Sequence, residues 1–264
     1  MPALENFTTH AYESSRGTIE LAVKTSASSI NAAEKKPSLV WLGGYRSDMD
    51  GTKAEAMVAW AEEWNTASLR FDYSGHGRSG GEFTDGCISD WVAESLEVVR
   101  NYSKGPQVLL GSSMGGWISL RLVQELQKLG EGDRIAGLVL IAPAPDFTKE
   151  LMFPSMSAEQ QSELMEKGFI LEPSEYSDEP NIITRKLIED GADNLVLDAK
   201  INVKAPVRII QGMNDPDVPY EHAMRLIEAL PEDDVVATLV KDGDHRLSRD
   251  QDIALIKRVT GALL

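Results

Sequence analysis

Short apolar runs recur along the chain from residue 37 onwards, and they do not alternate with polar residues. The runs are SLVWLGG, ASLRFDYS, QVLLGS, IAGLVLIAP, PVRIIQG and VVATLVKDG. Such runs are typical of strands that are buried on both faces of a parallel sheet. Between them, residues 52–65, 89–102 and 114–129 place their apolar side chains on one face of a helix. This alternation predicts βαβ crossovers and an α/β fold with a mainly parallel sheet flanked by helices.

The segment before residue 37 has a different pattern. Residues 18–24, TIELAVK, alternate between apolar and polar side chains, which is the period of a half-exposed strand. Together with residues 9–13 and the turn at residues 15–17, they predict an antiparallel hairpin at a sheet edge. The hairpin and the six apolar runs make an eight-stranded sheet. Residues 25–36 are small and polar and are predicted to form a loop.

The residues between Pro143 and Pro206 interrupt this alternation, because they contain no convincing buried strand. A structureless loop of that length is rare in a compact domain. We therefore predict one domain over residues 1–264, with a helical lid or cap inserted at residues 144–200. The alternative is an extra packing layer that does not contact a ligand.

Composition and charge narrow the possible partners. The net charge of −16 disfavours nucleic acid or an anionic membrane as the main partner. Cys87 is the one cysteine, so an internal disulfide and a CxxC metal site are excluded, and a reducing compartment is expected. No apolar run has the roughly 20 residues of a membrane span. The first residues lack the pattern of a signal or transit peptide, so we expect a cytoplasmic protein.

Two adjacent serines in VLLGSSMGGW, at residues 108–117, are candidate nucleophiles. A serine at a sharp turn from strand to helix needs small residues two positions before and after it. Ser113 has Gly111 and Gly115 at those positions, whereas Ser112 would have Leu110 and Met114. The pattern therefore favours Ser113, with QVLL as the strand and WISLRLVQELQKL as the helix.

Candidate partners for a serine nucleophile follow Ser113 in the chain. A serine hydroxyl is activated by an imidazole base, which an acid orients. Of the histidines after Ser113, His222 lies in an amphipathic pattern and is predicted to be on a helix surface. His245 follows the run VVATLV in a polar loop and is the favoured base. Asp215 and Asp217 follow the run PVRIIQG; Asp215 is the favoured acid, and Asp217 is predicted to be a solvated carboxylate.

An oxyanion that forms during acyl transfer needs two backbone N–H donors. Met114, which follows the nucleophile, is predicted to supply one. Tyr45 is predicted to supply the other, because Gly43 and Gly44 after the run SLVWL allow the chain to turn inward. A tight turn without any ligand is the alternative for the two glycines.

Several of these stretches together resemble the α/β-hydrolase fold family over nearly the whole chain. RFDYSGHGRSGG resembles the family loop D-x-x-G-x-G-x-S, here with Asp72, Gly75, Gly77 and Ser79, in which His76 is expected to be structural. GMNDPDVP resembles the family signature G-x-x-D-x-x-V-P, which also implies Asp215 as the acid. A closer resemblance is to the group of α/β-hydrolase domain-containing protein ten and its bacterial relatives, which is associated with acyl-protein thioesterase and acyl-glucuronide esterase activity.

The resemblance implies hydrolysis of a small-molecule carboxylic ester or thioester without a metal or organic cofactor. The mitochondrial members of the group carry a targeting sequence that is not evident here, so we expect a cytoplasmic bacterial homologue. Within the fold, amide cleavage and perhydrolysis are alternatives; a non-catalytic ligand-binding scaffold is a further one.

The insertion bears on the substrate. Between residues 146 and 200 it carries 13 acidic and 5 basic residues, which disfavours a polyanionic substrate. A group of apolar residues near its start is a candidate acyl pocket, although core packing is the commoner role of such groups. The group consists of Leu151, Met152, Phe153 and Met156. The oligomeric state has no signal in the sequence.

Overall fold

An eight-stranded sheet runs through the residues that the computed structural model describes, which are 5–26, 36–172, 180–231 and 234–264. The strands of this sheet are β1 (Asn6–Ser14), β2 (Gly17–Ser26), β3 (Ser38–Leu42), β4 (Ser68–Phe71), β5 (Gln107–Ser112), β6 (Ile135–Ile141), β9 (Val207–Gly212) and β10 (Val235–Val240). Two further strands, β7 (Phe169–Glu172) and β8 (Asn181–Thr184), form a separate antiparallel pair.

The order of strands in the sheet is β1-β2-β4-β3-β5-β6-β9-β10. All neighbours from β4 to β10 pair in parallel, whereas β1 and β2 form the antiparallel hairpin at one edge. The predicted α/β fold with a mainly parallel eight-stranded sheet is therefore confirmed. The loop predicted over residues 25–36 begins later, because residues 25 and 26 belong to β2; residues 27–35 of it lie outside the described residues.

Helices cover both faces of the sheet. They are α1 (Thr52–Glu63), α2 (Ile88–Tyr102), α3 (Met114–Lys128), α4 (Phe153–Ser155), α5 (Ala158–Lys167), α6 (Arg185–Asp193), α7 (Tyr220–Ala229) and α8 (Asp250–Gly261). The helices α2, α3 and α7 pack on one face with Val40 and Leu109, and α1 and α8 pack on the other with Leu39 and Leu110. The central strands are buried on both sides, which is why their apolar runs do not alternate.

The last strand, β10, differs from this prediction. Its run VVATLV was expected to be buried on both faces, but Val236 and Leu239 are exposed. The reason is its position at the sheet edge beside β9, where only one neighbouring strand covers it.

The insertion between β6 and β9 contains strands as well as helices. A π-helical turn at Thr148–Met152 runs into α4, and α5 is followed by the pair β7 and β8 and then by α6. The prediction of a purely helical insertion was wrong in this respect, because the two runs FILE and NIIT are too short for a clear strand signal. Residues 173–179 of the insertion lie outside the described residues.

A buried carboxylate joins the two ends of the insertion. Asp146, just after β6, accepts hydrogen bonds from the backbone N–H groups of Val196 and Leu197, at 2.9 and 2.8 Å. Asp146 has a φ of 57°, a conformation that residues other than glycine rarely adopt. The two hydrogen bonds to Asp146 thus bring the start and the end of the insertion together. No helix in the described part of the chain has the length and apolar character needed to cross a bilayer.

Candidate active site

A sharp turn, which we call the elbow, joins β5 to α3 at the centre of the sheet. Ser113 sits in this turn with a φ of 54° and a ψ of −117°, and α3 begins at the next residue, Met114. The turn places the Ser113 side chain at the carboxyl edge of the strands, where ligands bind in open α/β sheets. Ser112 is instead the last residue of β5 and is buried.

The glycines around Ser113 are required by close backbone contacts. A Cβ on Gly115 would overlap the carbonyl oxygen of Leu42, and one on Gly111 would overlap the carbonyl oxygen of Gly115. A Cβ on Gly116 would lie 2.9 Å from the Cβ of Pro143. The spacing of small residues that the sequence analysis emphasised thus has a direct steric reason.

A continuous hydrogen-bond chain links the three predicted side chains. His245 Nε2 lies 3.0 Å from Ser113 Oγ, and His245 Nδ1 lies 2.8 Å from Asp215 Oδ2. Because the carboxylate accepts, Nδ1 carries the proton and Nε2 presents its lone pair to the serine hydroxyl. The Asp215 side chain is fully buried, whereas that of His245 keeps 18% of its surface exposed. This arrangement can remove a proton from Ser113.

Four donated hydrogen bonds hold the Asp215 carboxylate. Apart from His245, the backbone N–H groups of Asp217 and Val218 donate to Oδ1, at 2.9 and 2.8 Å. The side-chain amide of Gln211, on β9, donates to Oδ2 at 3.1 Å. The carboxylate is therefore oriented independently of the histidine.

Gln211 is a site residue that the sequence analysis missed. Its side chain is fully buried, and its Nε2 also faces the carbonyl oxygens of Gly212 and Val218. Since all three neighbours are acceptors, the orientation of the amide is settled. The available signal was a polar residue next to the glycine at the end of an apolar run.

Asp217 and His222 were the less favoured candidates for the acid and the base. Asp217 is exposed beside Asp215, as predicted. His222 is not on the surface: only 4% of it is exposed, and its Nε2 lies 2.7 Å from the carbonyl oxygen of Pro145. The prediction was wrong because Pro145, at the start of the insertion, covers the His222 side chain on α7. Burial lowers the pKa of His222.

The two predicted oxyanion donors flank the elbow. Met114 is the first residue of α3, so its N–H has no acceptor within the helix. Gly44 lies against the elbow, since a Cβ on it would be 3.4 Å from the Cβ of Ser113, and Tyr45 is the next residue. The glycine pair therefore brings the chain that carries Tyr45 up to the serine.

The loop that resembles D-x-x-G-x-G-x-S, residues 72–79, is held in place by hydrogen bonds to its own backbone and to Met49. Asp72 accepts N–H groups from Met49 and Arg78, at 2.7 and 2.8 Å, and a Cβ on Gly77 would overlap its carboxylate. The Ser79 hydroxyl donates to the carbonyl oxygen of Asp72 at 2.6 Å. These contacts tie the end of β4 to the chain that follows Tyr45.

The insertion reaches the site through Tyr45 and its neighbour. The Tyr45 hydroxyl donates to the carbonyl oxygen of Ile182 on β8, at 3.0 Å, and burial raises the pKa of this phenol. Arg46 donates to the carbonyl oxygen of Pro180 at 2.9 Å. In the candidate acyl pocket, Met156 is buried in the insertion's own core, while Leu151, Met152 and Phe153 are partly buried.

One cluster in the described part of the chain has the spacing of a metal site. Asp215, Asp217 and His245 each place a ligand atom within 4.8 Å of the others. We assign no metal role to it, because His245 and Asp215 use those atoms for the hydrogen bond between them.

Comparison with known proteins identifies the family. The family model described as serine aminopeptidase, S33, matches residues 34–187. The palmitoyl-protein thioesterase ABHD10, mitochondrial, of Rattus norvegicus is 33% identical over 223 residues, which are 84% of this chain and 73% of that protein.

Solved structures of other proteins support the same family. A putative hydrolase from Agrobacterium vitis S4 superimposes with a TM-score of 0.92 at 49% identity, covering 100% of this chain and 99% of that chain. The mouse alpha/beta hydrolase domain-containing protein 10 superimposes with a TM-score of 0.85 at 29% identity, covering 98% of each chain. The resemblance inferred from the motifs is thereby confirmed.

The comparison corrects one expectation. The cytoplasmic location predicted from the sequence was wrong by this measure, because the matched ABHD10 proteins of rat, cattle and mouse are all named as mitochondrial. The matched family and the superimposed structures show that the chain is a hydrolase and belongs to the α/β-hydrolase family of serine hydrolases.

Proposed function

We propose that this protein hydrolyses carboxylic esters or thioesters through an acyl-enzyme on Ser113. The observation that carries the proposal is the hydrogen-bond chain from Ser113 Oγ through His245 to Asp215, at 3.0 and 2.8 Å. The ester or thioester class is supported by the name palmitoyl-protein thioesterase given to the rat relative.

The reaction has two halves in this proposal. Ser113 Oγ attacks the acyl carbonyl carbon and gives its proton to His245 Nε2. The bond to the alcohol or thiol breaks, and His245 returns that proton to the leaving group. Water then attacks the acyl-enzyme and gives a proton to His245. His245 returns this proton to Ser113 Oγ as the acyl–oxygen bond breaks, and a carboxylic acid is released. Asp215 keeps the imidazole in the required tautomer and stabilises the imidazolium.

The negative oxygen of each tetrahedral intermediate is held by the N–H groups of Tyr45 and Met114. Met114 is the first residue of α3 and Tyr45 lies three residues after β3, so both donors adjoin regular elements of the fold. Removal of one such donor typically slows catalysis by about 10²–10³-fold. No metal or organic cofactor takes part in these steps.

We also propose that residues 144–200 act as a cap that selects the acyl group within a single domain. The proposal rests on two contacts, from Tyr45 and Arg46 to the carbonyl oxygens of Ile182 and Pro180. Both contacts support a position of the β8 end of the insertion beside the segment that carries Tyr45.

A fluorophosphonate probe tests the nucleophile, since it reacts with activated serines. Peptide mass spectrometry should locate a single adduct on Ser113. The adduct should be absent in Ser113→Ala and strongly reduced in His245→Ala, whereas Ser112→Ala serves as the matched control and should still label. An adduct on Ser112, or no adduct on a folded protein, would contradict the proposal.

A panel of acyl donors tests the substrate class. Esters, thioesters and amides of the same acyl chains, from two to sixteen carbons, should be compared by kcat/KM. We expect turnover of esters and thioesters with little turnover of the matched amides. Preference for the amides would favour a peptidase, and tight binding without turnover would favour a binding scaffold.

A further inference from the structure

Two side chains of the 72–79 loop contact the segment that carries Tyr45. We call residues 43–46 the oxyanion loop. The Tyr73 hydroxyl donates to the carbonyl oxygen of Gly43 at 3.3 Å, and the N–H of Arg46 donates to His76 Nε2 at 3.3 Å. One contact thus lies on each side of the Gly44–Tyr45 peptide.

The imidazole of His76 has one possible tautomer at this place. Its Nδ1 lies 3.1 Å from the carbonyl oxygen of Ser74, which can only accept, so Nδ1 carries a proton. The lone pair of Nε2 then faces the Arg46 N–H. Burial lowers the pKa of His76 to about 4, so the ring is neutral where a serine hydrolase works.

The ring of His76 has no room to turn. It packs edge-on against Tyr73, Phe83 and Trp91, with centroids 5.5, 5.1 and 5.1 Å away. The ring is 3% exposed, and the Trp91 indole donates to the same Ser74 carbonyl at 3.2 Å. Both ring nitrogens are therefore fixed in space.

The backbone that His76 holds is in a conformation that needs support. Arg46 has a φ of 57°, a left-handed conformation that is unfavourable for a residue with a side chain. Such a conformation persists where the surroundings enforce it. The bond from the Arg46 N–H to His76 and the contact from Tyr73 to Gly43 are two of the contacts that do so.

We propose that Tyr73 and His76 are positioning residues that aim the N–H of Tyr45 at the oxyanion, acting through Gly43 and Arg46. The inference rests on the proposed function, because it assigns a purpose to the oxyanion loop of that reaction. In the proposed arrangement, neither the Tyr73 nor the His76 side chain touches the substrate.

The test uses substitutions that keep the packing and remove one contact. Tyr73→Phe removes only the hydroxyl, and His76→Phe keeps an aromatic ring but removes the acceptor. His76→Gln restores an acceptor for the Arg46 N–H. Tyr102→Phe and His10→Gln are matched controls, since that hydroxyl and imidazole bond each other between α2 and β1, away from the site.

Steady-state kinetics on the best ester of the panel should separate the variants. We expect kcat to fall about 5- to 20-fold in Tyr73→Phe and about 20- to 100-fold in His76→Phe, with KM within about twofold. His76→Gln should recover at least part of the loss, and the controls should match the unsubstituted protein.

A second readout distinguishes aiming from general stability. A trifluoromethyl ketone forms a hemiketal with Ser113 whose negative oxygen occupies the oxyanion position, whereas a thioether analogue of the substrate has no carbonyl. Affinity for the ketone should fall in parallel with kcat, and affinity for the thioether should not change. Where His76→Phe does not fold, Tyr73→Phe carries the test.

Two results would overturn the inference alone. One is an unchanged kcat in folded Tyr73→Phe and His76→Phe; the other is an equal loss of affinity for ketone and thioether. A different result, no probe adduct and no turnover in the unsubstituted protein, would overturn the proposed function and this inference with it.

Discussion

The carboxyl edge of the sheet and the insertion above it are built in different ways. At the sheet edge, Ser113, Asp215 and His245 follow β5, β9 and β10 respectively, and these strands pack in two extensive cores. The insertion has a small core of its own, made of Met156, Leu164, Ile170 and Ile183. Around it, Phe169 and Leu171 are exposed.

From this difference we infer that the sheet edge and the insertion have different roles. A rigid sheet suits chemistry that requires hydrogen bonds near 3 Å, and a separate core of only four buried residues suits a part that changes with the substrate. The insertion is nevertheless anchored at one side: Asp190 and Asn194 at the end of α6 bond the start of α2, with the Ser89 N–H at 2.9 Å from Asp190. Motion is therefore expected at α5 and β7 rather than at α6 or at β8, where the Tyr45 hydroxyl bonds Ile182.

The largest expected effect is at the elbow of the sheet. Gly115→Ala places a methyl group against the carbonyl oxygen of Leu42, where no flexible side chain can yield. We expect a loss of about 3 kcal/mol or more in the free energy of unfolding, or failure to fold. Urea denaturation checks this, with Gly51→Ala as the control, because a Cβ there lies 3.6 Å from its nearest neighbour. Equal stability of the two variants would contradict the steric account.

Two leucine substitutions compare the cores directly. Leu109→Ala in β5 should lower the global free energy of unfolding by about 3–5 kcal/mol. Leu164→Ala in the insertion core should lower it by about 1 kcal/mol or less while opening the insertion locally. Hydrogen exchange should then show loss of protection in residues 158–172 with the sheet unchanged. Simultaneous loss across the sheet would mean that the two regions unfold as one.

Gln211 tests how the sheet edge supports catalysis. Gln211→Leu removes the amide that holds the Asp215 carboxylate, and we expect kcat to fall about 10- to 100-fold with little change in KM, or about 1.4–2.8 kcal/mol. Gln107→Leu is the matched control, since Gln107 is equally buried on β5, which β6 separates from β9, but bonds Gly105. Equal kcat values in the two variants would remove Gln211 from the site.

The smallest expected effect concerns the pH dependence of the stability, through the carboxyl group of Glu94. Glu94 is fully buried on α2, and burial raises its pKa from 4.5 to about 7, against the opposing bond from the Ser74 N–H. The folded state therefore holds a proton that the unfolded state loses, and stability falls as the pH rises from about 4.5 through about 7.

The variant Glu94→Gln should remove this dependence. It should be more stable than the unsubstituted protein at pH 8, by about 1–3 kcal/mol, and similar to it at pH 4.5. Denaturation curves at the two pH values measure this. Glu97→Gln, on the exposed side of α2, is the control; a pH dependence that persists in Glu94→Gln would assign it to another group.

The same contrast explains what the sequence could predict. Strands buried on both faces produce continuous apolar runs, so β3 to β6 and β9 were evident, and a sterically required glycine pattern pointed to Ser113. The strands β7 and β8 have four residues each and pack on a small local core, so their pattern was too short to detect.

Features that depend on distant contacts were the ones missed. Nothing near His222 in the sequence shows that the Pro145 carbonyl covers it, and nothing near Gln211 shows that three acceptors surround its amide. The exposure of β10 depends on strand order, which the run VVATLV does not contain. The geometry of the oxyanion loop depends on His76, which lies 30 residues further along the chain.

The clasp that Asp146 forms with Val196 and Leu197 has a consequence for how this enzyme can change. The two ends of the segment between Asp146 and Val196 are joined by these hydrogen bonds. We therefore expect that a longer, shorter or different segment would leave the register of the sheet strands unchanged. Loop-length changes of this kind carry only a small entropic cost. Under the proposal that this insertion selects the acyl group, exchange between homologues of the residues that lie between Asp146 and Val196 should change the acyl preference and leave Ser113, Asp215 and His245 in place.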